Sequence, residues 1–497
     1  MIAAKGAVRR AALFLTVLLL FVPAAKGEES DMSTVPVTLQ PSYKKADEFN
    51  PLYTQRFGAD PGVMEYNGRL YVYMTNDIVE YDANGKVKEN SYSQIHTINC
   101  ISSDDLVNWT DHGKILVAGA SGAAKWAQNS WAPCAAHKTV DGKEKFFLYF
   151  CNGGNGIGVL TSDSPTGPWN DERGSLLITR TVPNCADVTW LFDPAVMVDE
   201  DGTGYLAFGG GIPNGKQAAP GTARIVRLAD DMIHLDGDPV RLDVPWLFED
   251  SGINRVGDRY WYTYCSNFMT SGNTLRLTDG AIQYMVSDDP MGPYTYMGEL
   301  FPNEGRFFGM YGNNHHSVAS LNGEWYLFYH NRPVEKAMGI TGNYRSPQVN
   351  KILFGEDGLP LQVKGTMRGV EQLKPLDPYQ TVKAATMSHQ GGITVSNGPD
   401  GRAWIIGEAG SWIRVSGVDF GAEASVLDIR AMAPTDCTVY AVLDDPEKGP
   451  VASQVKIMLA EGAEAAHFTA PISAEGVRDL YLIADGPMKL YSWKVQK

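Results

Sequence analysis

Short aromatic strands, each introduced by a turn signal, recur along most of the chain. In each one, Asn, Asp or Gly precedes a run of aromatic and aliphatic residues, which is typical of the second strand of a β-hairpin. The spacing of roughly 55 to 75 residues leaves room for one four-stranded sheet per repeat. The five segments are NGRLYVYMTND, DGKEKFFLYFCN, DGTGYLAFGGG, VGDRYWYTYCSN and NGEWYLFYHNR.

A second repeated element lies between these strands and predicts a tight turn into the next strand. It occurs as SSDDLVNW (Ser102–Trp109), TSDSPTGPW (Thr161–Trp169) and VSDDPMGPY (Val286–Tyr294). Helical periodicity is nearly absent. Five hairpin-rich repeats over about 310 residues predict an all-β fold with a five-bladed β-propeller, because a β-sandwich would not produce this period.

The pattern changes after Leu361, which divides the chain into regions. We predict a propeller over 46–360, a connector over 361–378 and a β-sandwich of the jelly-roll type over 379–497. Short alternating strands such as SWIRVSGVDF and CTVYAVL support the sandwich.

The N-terminus has the pattern of a secretory signal peptide. Three basic residues precede an apolar run from Ala11 to Val22, and small residues follow near Gly27. We therefore predict a signal peptide over 1–27, a lead-in over 28–45 and a secreted or periplasmic protein. No later stretch approaches the length of a membrane span.

Charge and cysteine content exclude several classes of function. The chain carries −15, and residues 1–27 hold four basic and no acidic side chains, so the remainder carries about −19. Such an acidic protein does not suit nucleic acid or anionic lipid, and we expect a monomer with neutral partners. The six cysteines form no CxxC pair, which argues against zinc; one or two disulfides and buried free thiols both remain open.

Equivalent positions of a propeller's innermost strands converge on its axis. The position ten to twelve residues before each aromatic strand holds a carboxylate in three repeats and predicts one shared cavity. These positions are Asp60, Trp131, Asp193, Glu249 and His315.

Three carboxylates in one cavity repel each other, so their pKa values must spread. A single Asp-Pro pair is commonly just a turn that caps a backbone N–H. Three acids in register favour a functional role instead. Paired acids without a nucleophile motif or redox centre are typical of glycoside hydrolysis.

The motifs ADPGVM, WAP, LFDPAVMVDEDGTGYLAFGG, FEDSGINRVGDRYWYTYCSN and GNNHHSVASLNGEWYLFYH resemble glycoside hydrolase family 43 over about Pro51 to Gly358. The resemblance implies an inverting enzyme acting on α-L-arabinofuranosyl or β-D-xylosyl linkages. By motif, Asp60 would be the general base and Glu249 the general acid. Asp193 would orient the acid and modulate its pKa.

The resemblance also implies binding residues, and each has a plainer alternative. His315 would help to hold a structural calcium ion, largely through water, or would simply be a buried histidine; the chemistry itself needs no cofactor. Trp131 and Trp190 would wall the sugar pocket, although core packing would also explain Trp190. Arg345 would bond sugar hydroxyls or lie on the surface.

Two more positions follow from the same resemblance. His316 would be structural, and Phe268 would rim the mouth of the pocket.

The wording FEDSGI and GNNHH is most similar to family members that remove arabinose side chains from arabinoxylan. A β-xylosidase or an arabinan-cleaving enzyme remains an alternative, and a non-catalytic glycan-binding propeller is an alternative from another class. A related five-bladed fold cleaves fructosides, but its motifs fit less well. The expected partner is therefore a polysaccharide or oligosaccharide.

The C-terminal region resembles a family 6 carbohydrate-binding module in GSWIRVSGVDFG and GVRDLYLIADG. Its functional positions depart from that pattern. VKAAT lacks the usual acids, AEGAEAAHFTAP lacks the sugar-stacking tryptophan, and MKLYSWKV lacks the usual asparagine. We therefore expect a docking or stabilising role, with weak glycan binding as the alternative.

Overall fold

The computed structural model describes residues 35–398, 402–458 and 464–497. The predicted signal peptide and the lead-in up to residue 34 lie outside the described residues, as do residues 460–463 of the loop that lacks tryptophan. The described chain is almost entirely β-structure, with two short helices, α1 (Gly305–Phe308) and α2 (Pro333–Met338). No helix within it is long and apolar enough to cross a membrane.

Five antiparallel sheets follow one another and form the blades of a five-bladed propeller. Blade one contains β1 (Ala59–Tyr66), β2 (Arg69–Thr75), β3 (Thr97–Ser103) and β4 (Trp109–Leu116). Blade two contains β5 (Trp131–Val140), β6 (Lys143–Cys151) and β7 (Ile157–Ser162). Blade three contains β8 (Ala195–Val198), β9 (Gly204–Phe208), β10 (Ala223–Leu228) and β11 (Val240–Leu242). Blade four contains β12 (Leu247–Val256), β13 (Arg259–Ser266), β14 (Ile282–Ser287) and β15 (Thr295–Phe301). Blade five contains β16 (His316–Leu321), β17 (Glu324–Asn331) and β18 (Ser346–Ile352).

The five aromatic segments predicted from the sequence are the second strands of their blades, β2, β6, β9, β13 and β17. The prediction of five blades is confirmed. The spacing left room for four strands in every blade, but blades two and five have three each. In blade two, two isolated bridges of β7, Thr161 to Asn170 and Ile157 to Ile178, stand where a fourth strand would pair.

Blade faces pack against each other, which explains why the second strands are apolar on both sides. In β17, every residue from Tyr326 to Asn331 is buried. Leu70 and Val72 of blade one share a core with Phe328 and Val349 of blade five. Strands buried on both faces lose the simple alternation of polar and apolar residues.

The ring is closed by the segment that precedes β1, because this segment runs along β18 of blade five. Asn50 exchanges two hydrogen bonds of 2.9 Å with the backbone of Val349. Leu52 N–H donates to Pro347 O at 2.9 Å, and Gly58 N–H donates to Arg345 O at 2.9 Å. The first and last parts of the propeller are thereby joined.

The C-terminal region is a sandwich of two antiparallel sheets around one apolar core that includes Ile413, Leu427 and Trp493. Its strands are β19 (Val382–Lys383), β20 (Thr386–Met387), β21 (His389–Gly391), β22 (Thr394–Asn397), β23 (Ala403–Gly407), β24 (Trp412–Asp419), β25 (Val426–Met432), β26 (Cys437–Leu443), β27 (Val451–Ile457), β28 (Ala466–Pro471), β29 (Val477–Ala484) and β30 (Met488–Gln496). One sheet has the order β22-β23-β30-β25-β28, with β19 on β30, and the other has β21-β24-β29-β26-β27. The strand β20 belongs to neither, because it extends the sheet of blade one by pairing with β4.

Buried polar contacts join the sandwich to the propeller. Asn108 Nδ2 donates to Ser416 O at 2.8 Å, and Ser416 N–H donates to Asn108 Oδ1 at 2.8 Å. Gln390 Nε2 donates to Thr54 Oγ1 at 2.9 Å. These contacts support the expected docking role of the sandwich.

All six cysteines are unpaired and buried. Of the two possibilities that the sequence left open, the structure contains free thiols.

We predict that Asn108→Ala weakens the joint between the two domains. The substitution leaves the buried N–H of Ser416 without its partner, while Ser416 O keeps only the bond from Gln372, which should reduce the free energy of unfolding by about 1–3 kcal/mol. Urea unfolding followed by tryptophan fluorescence measures this change. Asn170→Ala, an exposed asparagine in blade two, is the control and should leave the midpoint unaltered; equal midpoints for both variants would contradict the prediction.

Candidate active site

In four of the five blades a left-handed residue lies in or just before the innermost strand, at the same end of the channel. Its φ is 52° at Asp60, 37° at Ala132, 49° at Asp193 and 69° at Asp250. In β1, β5 and β12 the residue lies in a register break, with the preceding residue paired to the end of the second strand. A β-bulge of this kind turns one side chain out of the strand's normal alternation and is common beside active sites.

This register corrects the assignment of equivalent positions made from sequence. Asp60 and Asp193 do occupy the same slot, but the blade-four residue in that slot is Asp250 rather than Glu249. Glu249 and Trp131 both lie one residue earlier. The three-residue motifs Ala-Asp-Pro, Trp-Ala-Pro, Phe-Asp-Pro and Glu-Asp-Ser would have revealed this, had they been aligned on their middle residue.

Hydrogen bonds between neighbouring blades fix the left-handed residues. Asp60 N–H donates to His330 Nδ1 of blade five at 3.0 Å. Ala132 N–H donates to Thr75 Oγ1 of blade one at 2.8 Å. Asp193 N–H donates to Cys151 Sγ of blade two at 3.0 Å. In each case the acceptor side chain comes from the end of the preceding blade's second strand.

Blade three differs from this pattern, and as a result the acids Asp193 and Asp250 lie next to each other. Its residue at the corresponding place is Gly209, whose N–H bonds Phe192 O and which has no side chain to offer. Asp250 N–H instead donates to Asp193 Oδ2 at 3.0 Å. The carboxylate of Asp193 therefore takes the structural part that a neutral side chain takes in the other blades.

A pocket of about 240 Å³ opens at this end of the channel. Six of the seven predicted site residues line it: Asp60, Trp131, Asp193, Glu249, His315 and Arg345. The exception is Trp190, whose ring packs edge-on against Phe192 and Phe248 at centroid distances of 5.2 and 5.3 Å. Those two phenylalanines line the pocket, and Trp190 packs against them while half-buried. Contact of Trp190 with the sugar stays a prediction.

Asp60 is held as a carboxylate. Its Oδ2 accepts a hydrogen bond of 2.6 Å from Thr75 Oγ1, and its Oδ1 accepts one of 2.8 Å from Arg345 Nη1. Burial by itself would raise the pKa of Asp60, but Arg345, His315 and His330 outweigh burial and lower the pKa to about 2.

Asp193 and Glu249 are pushed in the opposite direction. Burial, followed by repulsion from Asp250 and Asp60, raises the pKa of Glu249 to about 8. Burial, followed by the charges of Glu249 and Asp250, also raises the pKa of Asp193. Glu249 takes only one long hydrogen bond, 3.4 Å from Asn313 Nδ2. A carboxyl with so few donors around it keeps its proton at neutral pH.

Arg345 is not on the surface; it is 5% exposed and braced by a second carboxylate. Asp77 accepts from Arg345 Nε at 2.9 Å and from Nη2 at 2.8 Å. The guanidinium carbon lies 5.2 Å from the ring centre of Tyr92, which is another wall of the pocket. This bidentate pairing fixes the cation beside Asp60.

His315 lies between carboxylates. Its Nδ1 is 3.7 Å from Asp60 Oδ1 and 3.9 Å from Asp193 Oδ2, and its Nε2 is 3.1 Å from Asp250 Oδ1. His316 is buried and contacts Asp250 and Thr263, and it does not line the pocket.

The described residues contain no group of three or more His, Cys, Asp or Glu side chains arranged to hold a metal ion. They therefore do not fit a calcium ion bound directly by side chains, which needs six to eight oxygen ligands. Calcium held through water at His315 stays a prediction.

Sequence reasoning missed four residues around the pocket: Thr75, Asp77, Asp250 and His330. Three of them stand at or just beyond the ends of the aromatic strands β2 and β17, in YMTND and YHNR. A comparison of strand ends would have found Thr75 and His330, but nothing local identifies Asp77 as the partner of an arginine 268 residues away.

Comparison with protein families identifies the propeller. Residues 49–360 match the model for glycosyl hydrolases family 43. The chain is 44% identical to an arabinoxylan arabinofuranohydrolase from Paenibacillus polymyxa over 92% of this chain and 74% of that protein. It is 41% identical to an arabinoxylan arabinofuranohydrolase from Bacillus subtilis over 95% of each.

A solved structure covers both domains. It is a family 43 arabinoxylan arabinofuranohydrolase from Bacillus subtilis, crystallised with cellotetraose. It superposes with a TM-score of 0.89 at 39% identity, over 92% of this chain and 99% of that one. The similarity therefore extends beyond the propeller into the sandwich.

We predict that Asp60 makes stability depend on acidity. Because folding lowers its pKa from 3.8 to about 2, its stabilising contribution is complete above pH 3.8 and is lost as the pH falls through 2. Between pH 5 and pH 3 the protein should lose about 1 kcal/mol more unfolding free energy than Asp60→Asn does. Urea unfolding at both pH values tests this; parallel losses in the two proteins would show that Arg345 does not hold the carboxylate ionised.

Proposed function

The chain belongs to glycosyl hydrolases family 43, and we propose that it is an inverting glycosidase that removes α-L-arabinofuranosyl side chains from arabinoxylan. One observation carries the proposal. A carboxylate with a lowered pKa, Asp60, and a carboxyl with a raised pKa, Glu249, line one small pocket. Glycoside hydrolysis with inversion needs this pair of opposite protonation states.

Asp60 is the general base. Arg345, Thr75 and the backbone bond to His330 hold it ionised and in one orientation. It accepts a proton from a water molecule, and the water oxygen then bonds to the anomeric carbon of the sugar.

Glu249 is the general acid. It gives its proton to the glycosidic oxygen as the bond between that oxygen and the anomeric carbon breaks. The electron pair of the broken bond stays on the oxygen of the leaving sugar. The water proton passes to Asp60, so charge balances and water is the co-reactant that is consumed. Asp193 orients the site through its bond to Asp250 N–H, and after burial the charge of Glu249 is the largest cause of the raised pKa of Asp193.

The size of the pocket supports removal of a side chain. About 240 Å³ suits a single sugar ring. A second cavity of about 600 Å³ lies beside it, bounded by Phe268, Arg306 and Tyr311. Phe268 packs edge-on against Phe248, a wall of the pocket, at 5.2 Å. We infer that the arabinose enters the pocket while the polysaccharide main chain lies along this second cavity, with Phe268 at the rim.

The other hypotheses receive less support. A glycan-binding propeller without activity gains nothing from burying Asp60, Asp193, Glu249 and Asp250 together, because buried charges of one sign are costly. A β-xylosidase or arabinan-cleaving enzyme would need the same acids. The two relatives at 41–44% identity are both arabinoxylan arabinofuranohydrolases, which favours that substrate.

We further propose that the protein is exported, on the basis of the signal-peptide pattern in residues 1–27. The sandwich serves to dock and stabilise the propeller. The contacts of Asn108 and Gln390, together with the pairing of β20 with β4, support that role.

We predict opposite substrate dependence for the two acids. Glu249→Ala should reduce turnover on arabinoxylan by about 10²–10⁴-fold. It should lose much less on 4-nitrophenyl α-L-arabinofuranoside, because nitrophenolate leaves without a proton. Asp60→Ala should be inactive on both substrates. Initial rates measure this, and equal losses for Glu249→Ala on both substrates would remove it from the role of acid.

We predict that Tyr311→Ala selectively impairs polymer hydrolysis. Loss of an aromatic surface that is 67% exposed should lower kcat/KM on arabinoxylan about fivefold relative to the nitrophenyl substrate. Tyr81→Ala is the matched control, since Tyr81 is 62% exposed and lies outside the second cavity. An unchanged ratio in Tyr311→Ala would place the main chain elsewhere.

A further inference from the structure

Asp250 is the carboxylate of the channel to which the proposed reaction assigns no role. It directly follows the general acid, has a left-handed backbone and is fully buried. Burying a fourth acid beside Asp60, Asp193 and Glu249 opposes folding unless its contacts offset the desolvation. The contacts of Asp250 should therefore indicate what it does.

One oxygen of Asp250 anchors the start of β16. Oδ2 accepts a hydrogen bond of 3.0 Å from His316 N–H and also contacts His316 Nδ1. The other ring nitrogen, Nε2, bonds Thr263 Oγ1 of β13 at 2.7 Å. His316 is thus fixed from both ends, and its neighbour His315 is held at the inner edge of blade five.

The second oxygen faces His315. Asp250 Oδ1 lies 3.1 Å from His315 Nε2 and has no hydrogen-bond partner among the described residues. On the opposite side of the ring, Nδ1 is 3.7 Å from Asp60 and 3.9 Å from Asp193. The imidazole therefore spans the floor of the pocket between Asp250 and the other two aspartates.

The backbone of Asp250 acts on the third acid. Its N–H donates to Asp193 Oδ2 at 3.0 Å, in the place where blade three has only Gly209. One residue thus contacts Asp193, His315 and His316, and it is the covalent neighbour of Glu249.

We propose that Asp250 is a positioning residue of the glycosidase reaction, which fixes His315 and Asp193 around the pocket and places its own side chain directly beside Glu249. The inference rests on the proposed function. In this proposal the carboxylate of Asp250 holds His315 in place, and no cation at the propeller axis is needed for that.

Replacing Asp250 should change the pKa of Glu249, which would not happen if Asp250 had only a structural role. After burial, Asp250 is the largest cause of the raised pKa of Glu249. The other titratable or charged groups around Glu249 come from every neighbouring blade and remain unaltered when Asp250 is replaced. They are Asp60, Tyr92, Asp193, Cys265, His315 and Arg345.

The test is Asp250→Asn, whose side-chain oxygen still accepts the bond from His316 N–H. Activity as a function of pH is measured as arabinose released from arabinoxylan, whose leaving group needs the proton of Glu249, together with thermal unfolding. We expect kcat to fall about tenfold, because His315 loses the carboxylate that lies 3.1 Å from its Nε2. We also expect the alkaline limb of kcat/KM to move to lower pH by about one unit, because Glu249 loses its proton more easily.

Asp111→Asn is the matched control, because Asp111 is also a buried aspartate in an ion pair but lies away from the pocket, with Arg56. It should reduce stability while leaving the pH profile of the wild type. A fall in activity of Asp250→Asn with an unmoved alkaline limb would overturn the proposal, since it would show a structural role only.

Two further experiments distinguish a role of the Asp250 charge from a role of side-chain position or of a bound cation. Asp250→Glu keeps the charge and displaces it, so kcat should fall while the alkaline limb stays in place; a shift as large as that of Asp250→Asn would refute the proposal. Restoration of Asp250→Asn by millimolar calcium, with loss of wild-type activity in chelator, would also refute it by showing that a cation holds His315. Failure of the wild type on every arabinofuranoside would refute the proposed function instead.

Discussion

The structure depends on a constraint at the rim of the channel: the N–H of each left-handed residue must find an acceptor in the blade before it. Thr75, Cys151 and His330 provide such acceptors from the ends of second strands. An N–H buried in this position without a partner would be costly. The same requirement that joins blade to blade therefore also decides where the side chains of Asp60 and Asp193 stand.

Function uses the one place where this arrangement changes. Gly209 offers no side chain, and Asp193 accepts the bond in its place. Asp193 consequently lies against Asp250 in a buried setting, where its pKa is raised, whereas Asp60, a few ångströms from His315, is kept ionised by Arg345, which Asp77 holds in place. One pocket thus holds carboxyls of both protonation states. Blade five supplies the cation, Arg345, beside Asp60, whereas blade four supplies another acid, Asp250, beside Asp193.

The sequence predicted the parts of the molecule that repeat. The period of the aromatic strands predicted five blades, and the Asp-Pro motifs predicted two of the acids in register. The prediction from sequence was wrong by one residue in blade four, where Glu249 was assigned to the position that Asp250 occupies. A β-bulge adds a residue to a strand without changing its hydrophobic pattern, so the pattern does not reveal it. The packing of Trp190 against Phe192 and Phe248 was not predicted, because a tryptophan beside a pocket and one behind its wall have the same local sequence. Asp77 was missed because its partner is remote in the chain.

The closure of the ring by residues 50–58 has a consequence for how the chain reaches its final form. The bonds of Asn50 join residues 299 apart in sequence. The ring therefore closes only after blade five has folded, and until then the outer faces of the first and last folded blades stay uncovered. Pairing over such separations is slow because the whole intervening chain loses conformational freedom. The acids of the pocket, drawn from all parts of that span, become a working set only at the final step of assembly. A protein arrested before that step would be both inactive and prone to associate through its open edges.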